Sequence, residues 1–247
     1  MDKAVNGIIY FSLGANIKSS DLPMEKLEVF LKVFGSMIDV LILWKFESNS
    51  LRERHGTNVI VGPWMPQQEI LKHKNLKIFI THGGLLSMME SLHYGKPIIG
   101  IPFFNDQKLN VAKAESQGYG VTIDYDSLTE ESLKNAVNAI FNNGSYQANA
   151  EKLSIVFKDN PIKPVDNAVF QVERVIRTNG ADHLKTTATK LSLIQIHLID
   201  QIMFALAITL IAILVLSKSV KWMKSKFQKR GKLQPIKSSK RNKFKSN

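Results

Sequence analysis

The sequence predicts an α/β fold, a doubly wound parallel sheet followed by one transmembrane helix. Three observations carry that expectation. Short apolar runs alternate with longer helical patterns through the N-terminal part of the chain. The runs are uniformly apolar rather than alternating, as strands buried on both faces are. Near the C-terminus, an uncharged apolar stretch runs into a lysine-rich end.

The strands are expected at Ile8–Leu13, Val40–Leu43, Val59–Val61, Ile78–Ile80, Ile98–Ile101 and Val121–Ile123. Helices are expected between them. Glu25–Phe34 follows Asp21 and Pro23; Leu85–His93 and Gln107–Gln117 follow the fourth and fifth strands. Thr129–Asn142 is opened by Ser127 and Thr129, with acids in its first turn where they complement the helix dipole. Two further helices, about Ser145–Lys158 and Val165–Thr178, are separated by Pro161 and Pro164. Strand–helix alternation at this spacing implies parallel strands with both faces covered. Ligands of such sheets sit at the carboxyl ends of the strands, so the turns there are where chemistry is sought.

Gln201–Ser217 carries no formal charge; its 17 residues reach about 25 Å as a helix, the short end of a bilayer core. Apolar character extends back through Leu191–Ile199, interrupted by Asp200, which supplies the missing turn. Lys218 begins a basic stop sequence with Trp222 near the boundary, the pattern of a cytoplasmic flank. The chain therefore divides into a body over 1–180, a juxtamembrane segment over 181–192, a transmembrane helix over 193–217 and a basic cytoplasmic tail over 218–247. The body is expected on the opposite, lumenal side. Asn143-Gly144-Ser145, the only glycosylation sequon, falls in a turn there. Lys243 and Lys245 resemble the dilysine retrieval signal of endoplasmic-reticulum membrane proteins. Met1–Phe11 does not read as a signal peptide.

The 247 residues include 33 Lys and Arg against 21 Asp and Glu, a formal net charge of +12. From Lys218 onward there are ten Lys, two Arg and no acid, so the rest of the chain is neutral. A basic nucleic-acid-binding domain would carry that charge on its folded surface, so no nucleic-acid partner is expected. The absence of cysteine excludes disulfides, thiolate metal sites and a cysteine nucleophile. Six scattered histidines show no metal-ligand spacing, and no metal is expected.

Three turns carry candidate chemistry. In Thr81-His82-Gly83-Gly84, a strand ends and two glycines open a helix that continues through Ser87 to Glu90. Such a turn can cradle phosphate on free backbone N–H groups, with Glu90 reaching a ribose diol, or it can be a plain tight turn. In Gly62-Pro63-Trp64-Met65-Pro66-Gln67, two prolines stiffen a loop bearing a tryptophan and an amide. The indole either stacks on a base, with Gln67 reading its edge, or packs the loop. After Ile101-Pro102-Phe103-Phe104, Asp106-Gln107 either caps the next helix or accepts hydrogen bonds from sugar hydroxyls.

In this order and spacing, Trp64-x-Pro66-Gln67, Thr81-His82-Gly83-Gly84, Ser87, Glu90, Pro97, Pro102 and Asp106-Gln107 resemble the signature of the UDP-glycosyltransferases, the family that includes the UDP-glucuronosyltransferases. The resemblance runs from Gly7 to the tail and takes in Tyr10-Phe11-Ser12-Leu13-Gly14; Leu85-Leu86-Ser87 is similar to insect members. It implies the C-terminal donor domain of a GT-B fold. By the same resemblance Trp64 stacks on uracil, Gln67 binds its edge and Glu90 holds the ribose. Ser12, His82, Gly84 and Ser87 surround the diphosphate, while Asp106 and Gln107 hold the sugar. Leu86 stands where many members carry asparagine, and Ala15 where serine is common.

The implied reaction is inverting, metal-free transfer of a hexose from UDP-glucose or UDP-glucuronate to a small lipophilic acceptor. No cofactor is implied, since the UDP-sugar is a co-substrate. Members are about twice this length, and the acceptor pocket and histidine base belong to the half that is not here. This chain alone is therefore expected to bind donor without transferring sugar, with no catalytic base of its own. The alternative is a non-catalytic membrane protein that binds nucleotide sugar or pairs with full-length transferases, as a homo- or hetero-oligomer. The expected location is the endoplasmic-reticulum membrane, single-pass, with the tail cytosolic.

Overall fold

The computed structural model describes residues 1–48, 51 and 55–231. Residues Met1–Pro164 form one compact unit and Val165–Asn247 a second. The first is built on six parallel strands: β1 (Ile8–Ser12), β2 (Leu41–Lys45), β3 (Val59–Gly62), β4 (Leu76–Thr81), β5 (Ile98–Gly100) and β6 (Gly120–Thr122). Their order across the sheet is β3-β2-β1-β4-β5-β6. The chain winds outward from β1 to β3, then returns to lay β4 against the other side of β1. The loops leaving β1 and β4 consequently diverge, and a crevice opens between them at the carboxyl edge of the sheet.

The helices of this unit are α1 (Met24–Ser36), α2 (Gln67–Lys72), α3 (Leu85–His93), α4 (Gln107–Ser116), α5 (Glu130–Asn142) and α6 (Ser145–Lys158). Successive strand residues point to opposite faces, so each central strand feeds two cores. Ile9 and Phe11 of β1 pack with Phe30 and Phe34 of α1 and Leu133 and Ile140 of α5. Ile8 and Tyr10 pack on the other side with Leu71 of α2, Met88 of α3 and Ala150 of α6. The first core holds a cluster of aromatic rings, with Phe11 4.5 Å from Phe30 and 5.2 Å from Trp44 between centroids.

Burial on both faces holds for the inner strands and weakens at the edges. Ile60 of β3 is half exposed, and Val121 and Thr122 of β6 are only partly covered. The reason is position: an edge strand has a neighbour on one side only, and less of the covering layer reaches it. Helix α2, which is not among the helices expected from sequence, is six residues long and starts directly after Pro66. It supplies Ile70 and Leu71 to the second core.

In the second unit, α7 (Pro164–Arg177) carries an exposed apolar face that includes Val165, Val169, Val172 and Ile176. A short helix α8 (Leu193–Ile196), capped by Ser192, precedes α9 (Ile199–Gly231). The two are separated at Leu198, whose φ is 55°. The 29 residues Ile199–Phe227 are long and apolar enough to cross a membrane and are unburied along their most apolar stretch. Lys243 and Lys245 lie outside the described residues.

Candidate functional site

At the diverging loops lies a cavity of about 750 Å³. Its walls include nine residues singled out from sequence: Ser12, Trp64, Gln67, His82, Gly84, Ser87, Glu90, Asp106 and Gln107. They come from the ends of β1, β3, β4 and β5 and from the helices that follow, converging from a span of nearly one hundred residues. Asn143 lies elsewhere, exposed at the end of α5, where its Oδ1 accepts a 3.0 Å hydrogen bond from the Ser145 N–H.

The turn after β4 is shaped by close approach. Gly83 has φ +83°, and a Cβ there would collide with Val111 of α4. A Cβ on Gly84 would stand 2.5 Å from His82 Nε2, and one on Gly14 would stand 2.5 Å from His82 Cε1. The imidazole is thus sandwiched between two glycine backbones, one from each diverging loop. Only 8% of His82 is exposed, and its Nδ1 has no hydrogen-bond partner. Burial pushes its pKa below the usual imidazole value, against a smaller upward pull from Asp106. The ring is therefore neutral near pH 7, with its Nδ1 enclosed and unpartnered. Gly84 is the N-cap of α3, so backbone donors of the first helical turn border the same space.

The opposite end of the cavity is a hydrogen-bonded network. Glu90 accepts from Gln67 Nε2 at 2.7 Å and from Gln68 Nε2 at 2.9 Å, one bond to each carboxylate oxygen. Gln67 Nε2 also reaches Ser87 Oγ at 3.3 Å, while its Oε1 accepts from the Tyr10 hydroxyl at 3.3 Å. Burial raises the Tyr10 pKa to about 12, with Glu90 adding to the rise and a hydrogen bond with Ser12 opposing it. The phenol therefore stays protonated and donates, which holds the carbonyl end of Gln67 toward it. Glu90 retains accepting capacity, since a carboxylate offers about four lone-pair sites. Trp64 stands beside this network, 76% exposed. An indole that packed its loop would be buried; this one presents its surface to the cavity.

Beyond β5, Gln107 is buried and turns its Oε1 back onto the loop, accepting from the N–H groups of Phe103 at 2.8 Å and Phe104 at 3.1 Å. Asp106 occupies the N-cap position of α4 without a capping bond of its own. Its Oδ2 accepts instead from Asn110 Nδ2 at 2.7 Å. Asn105, immediately before Asp106, adopts φ 54°, an uncommon conformation for a residue with a side chain.

Lys45 and Asn110, like Gln68, are not among the residues singled out from sequence. Lys45 ends β2 inside the cavity wall; its Nζ donates to the Gly14 carbonyl at 2.9 Å and to Glu47 at 2.6 Å, and lies 5.9 Å from the Trp64 ring centroid. The available signal was a lysine closing an otherwise apolar strand, Leu41-Ile42-Leu43-Trp44-Lys45. Asn110 joins Asp106 to the Gly83 carbonyl, 3.0 Å away, and so ties the β5 loop to the β4 turn. It sits four residues beyond Asp106, one helical turn, which is the spacing that permits the contact.

Known proteins resemble this chain in sequence and in fold. Residues 3–234 match the family described as UDP-glucoronosyl and UDP-glucosyl transferase. The chain is 38% identical over 221 residues to UDP-glycosyltransferase UGT5 of Dactylopius coccus, covering 90% of this chain and 42% of that protein. It is 35% identical over 229 residues to UDP-glucuronosyltransferase 2B19 of Macaca fascicularis, covering 92% and 43%. The chain thus spans about two fifths of the length of these relatives. Among solved structures, Os79 T291V from O. sativa in complex with UDP superposes with a TM-score of 0.54 at 25% identity, over 60% of this chain and 36% of that one. Other solved glycosyltransferases superpose similarly, and the sheet is that of a GT-B fold.

Proposed function

The chain belongs to the UDP-glucoronosyl and UDP-glucosyl transferase family, and from that premise we propose that the sheet unit binds a UDP-sugar as glycosyl donor. The reading is supported most by the cavity at the strand-order switch. An exposed indole, an oriented amide–carboxylate network and a His-Gly-Gly turn line it together. These suit a base, a ribose and a diphosphate in that order.

Trp64 stacks on the uracil ring, a sequence-tolerant contact that gains from the indole's large surface. Gln67 reads the base edge with its amide held by Tyr10. Glu90 uses its remaining lone pairs for the ribose hydroxyls. Ser12, Ser87, the backbone at Gly84 and the His82 imidazole surround the diphosphate. Asp106 accepts from the sugar hydroxyls, and Gln107, whose carbonyl is committed to the loop backbone, offers its amide N–H group.

In the reaction, an acceptor oxygen bonds to the anomeric carbon with inversion as the bond to the β-phosphate oxygen breaks, and UDP leaves. The developing phosphate charge falls where the α3 N-terminus and His82 are placed, so stabilisation grows as the transition state forms. More than half of each relative's length lies outside the matched stretch. The acceptor pocket and the group that takes the acceptor proton are assigned to that other portion. α9 anchors the unit in a membrane, with the sheet unit lumenal, Asn143 glycosylated and the basic tail cytosolic; the endoplasmic reticulum is the proposed compartment.

Calorimetric titration of the purified 247-residue chain with UDP, UDP-glucose and UDP-glucuronate tests the donor assignment. Binding of UDP that weakens by about 1–3 kcal/mol in Trp64→Ala is expected, without sugar transfer when a lipophilic phenol is supplied. Equal binding by the variant, or none by the parent chain, removes the reading.

A further inference from the structure

Helix α9 does not stop where its uncharged stretch ends. It continues past Ser217 through Trp222 and Phe227. The 29 residues Ile199–Phe227 reach about 43 Å, against roughly 30 Å of hydrocarbon in a bilayer. The surplus belongs at headgroup depth, and its sequence suits that depth. Val220, Met223 and Phe227 recur at helical spacing and, with Lys224, line one shallow apolar groove. Lys218, Lys221, Trp222 and Lys226 fall on the other side of the helix at its 100° period. Lys226 Nζ sits 4.2 Å from the Trp222 ring centroid, so an ammonium and an interfacial aromatic are held together on that side. From Lys218 to Asn247 there are twelve cationic side chains and no acid to neutralise them locally.

We propose that Lys218–Phe227 is a binding surface for anionic phospholipid headgroups. The apolar stripe lies along the acyl boundary while the lysines extend to headgroup phosphates and carboxylates of the same leaflet. A positive flank that only set orientation would need neither an amphipathic continuation of the helix nor twelve charges. Polybasic segments beside a span gain affinity for anionic surfaces with each added lysine, and lose it as salt screens the charge. The proposal rests on the membrane-anchor reading of α9.

The chain has no cysteine, so Ser225→Cys gives a single attachment point for a polarity-sensitive fluorophore. The labelled full chain is reconstituted into phosphatidylcholine vesicles with and without phosphatidylserine, and each preparation is washed with alkaline carbonate. Retention in the pellet together with a blue shift of emission confined to phosphatidylserine vesicles is expected. The shift is expected to vanish at high salt and in a variant carrying Lys218→Gln, Lys221→Gln, Lys224→Gln and Lys226→Gln. Glutamine is as good a helix former as lysine, so the helix persists in that variant. Emission that is equal in both vesicles, or a shift that survives salt or the four substitutions, overturns the proposal. Release by carbonate overturns the anchor reading, and the proposal falls with it. Binding of single-stranded RNA without any phosphatidylserine shift reassigns the charge to nucleic acid.

Discussion

Two side chains set the chemistry of the cavity by opposite means. Trp64 acts by being uncovered, so removing it costs little in folding and much in binding. Trp64→Ala is expected to weaken UDP binding by about 1–3 kcal/mol, the range for one base on one aromatic ring, with an unchanged melting temperature. Titration and melting curves on one preparation check both halves. His82 acts by being covered. Its folded pKa is depressed, so the unfolded chain binds the proton more readily than the native one. Stability is therefore fully present above about pH 6.5 and is lost as pH falls from there through the folded value. A melting-temperature series should fall below that pH, and His82→Gln should flatten this part of the curve. Equal slopes for both proteins would show that His82 is not the titrating group.

Elements hold these residues in register, and their glycines and caps differ in consequence. Gly83→Ala forces a side chain into a left-handed conformation against Val111 and the Gln107 backbone. It is expected to destabilise by on the order of 2–4 kcal/mol and to abolish UDP binding, because the turn carries His82 and the start of α3. Thr129→Ala removes the capping box at α5, where the Thr129 hydroxyl accepts from the Ser132 N–H at 3.1 Å. A cost of about 1 kcal/mol is expected with UDP affinity intact, since α5 lies away from the cavity. Denaturant melts paired with titrations separate the two cases. This level was also the most legible in sequence. All six strands and six of the helices follow from uniformly apolar runs and caps, since those signals are local. α2 was not legible: six residues behind Pro66 offer too little periodicity. The nine cavity residues were visible as motifs on strand-end turns. Lys45 and Asn110 were not, because their significance lies in contacts with Gly14 and Gly83, which are distant along the chain.

For the molecule as a whole, ligand binding and stability are one quantity. If the cavity takes UDP in the native state only, UDP at one hundred times its Kd adds about 2.7 kcal/mol to unfolding and raises the melting temperature of the chain. Cytidine diphosphate should raise it less, because Tyr10 fixes the Gln67 amide in one orientation and cytosine presents a different edge. Equal shifts for the two nucleotides would mean that the base edge is not read. The sheet order has a kinetic consequence as well. β1 is the first strand of this sheet to be made, yet one of its two partners is β4, with Ile8 opposite Leu76 and Ser12 opposite Thr81. No pair of neighbouring strands can close as a hairpin, since all run parallel. During synthesis β1 must therefore wait, one edge bare and fully apolar, until nearly seventy further residues have emerged. Folding of this unit should be slow for its size, and the nascent chain is most exposed to aggregation in that interval.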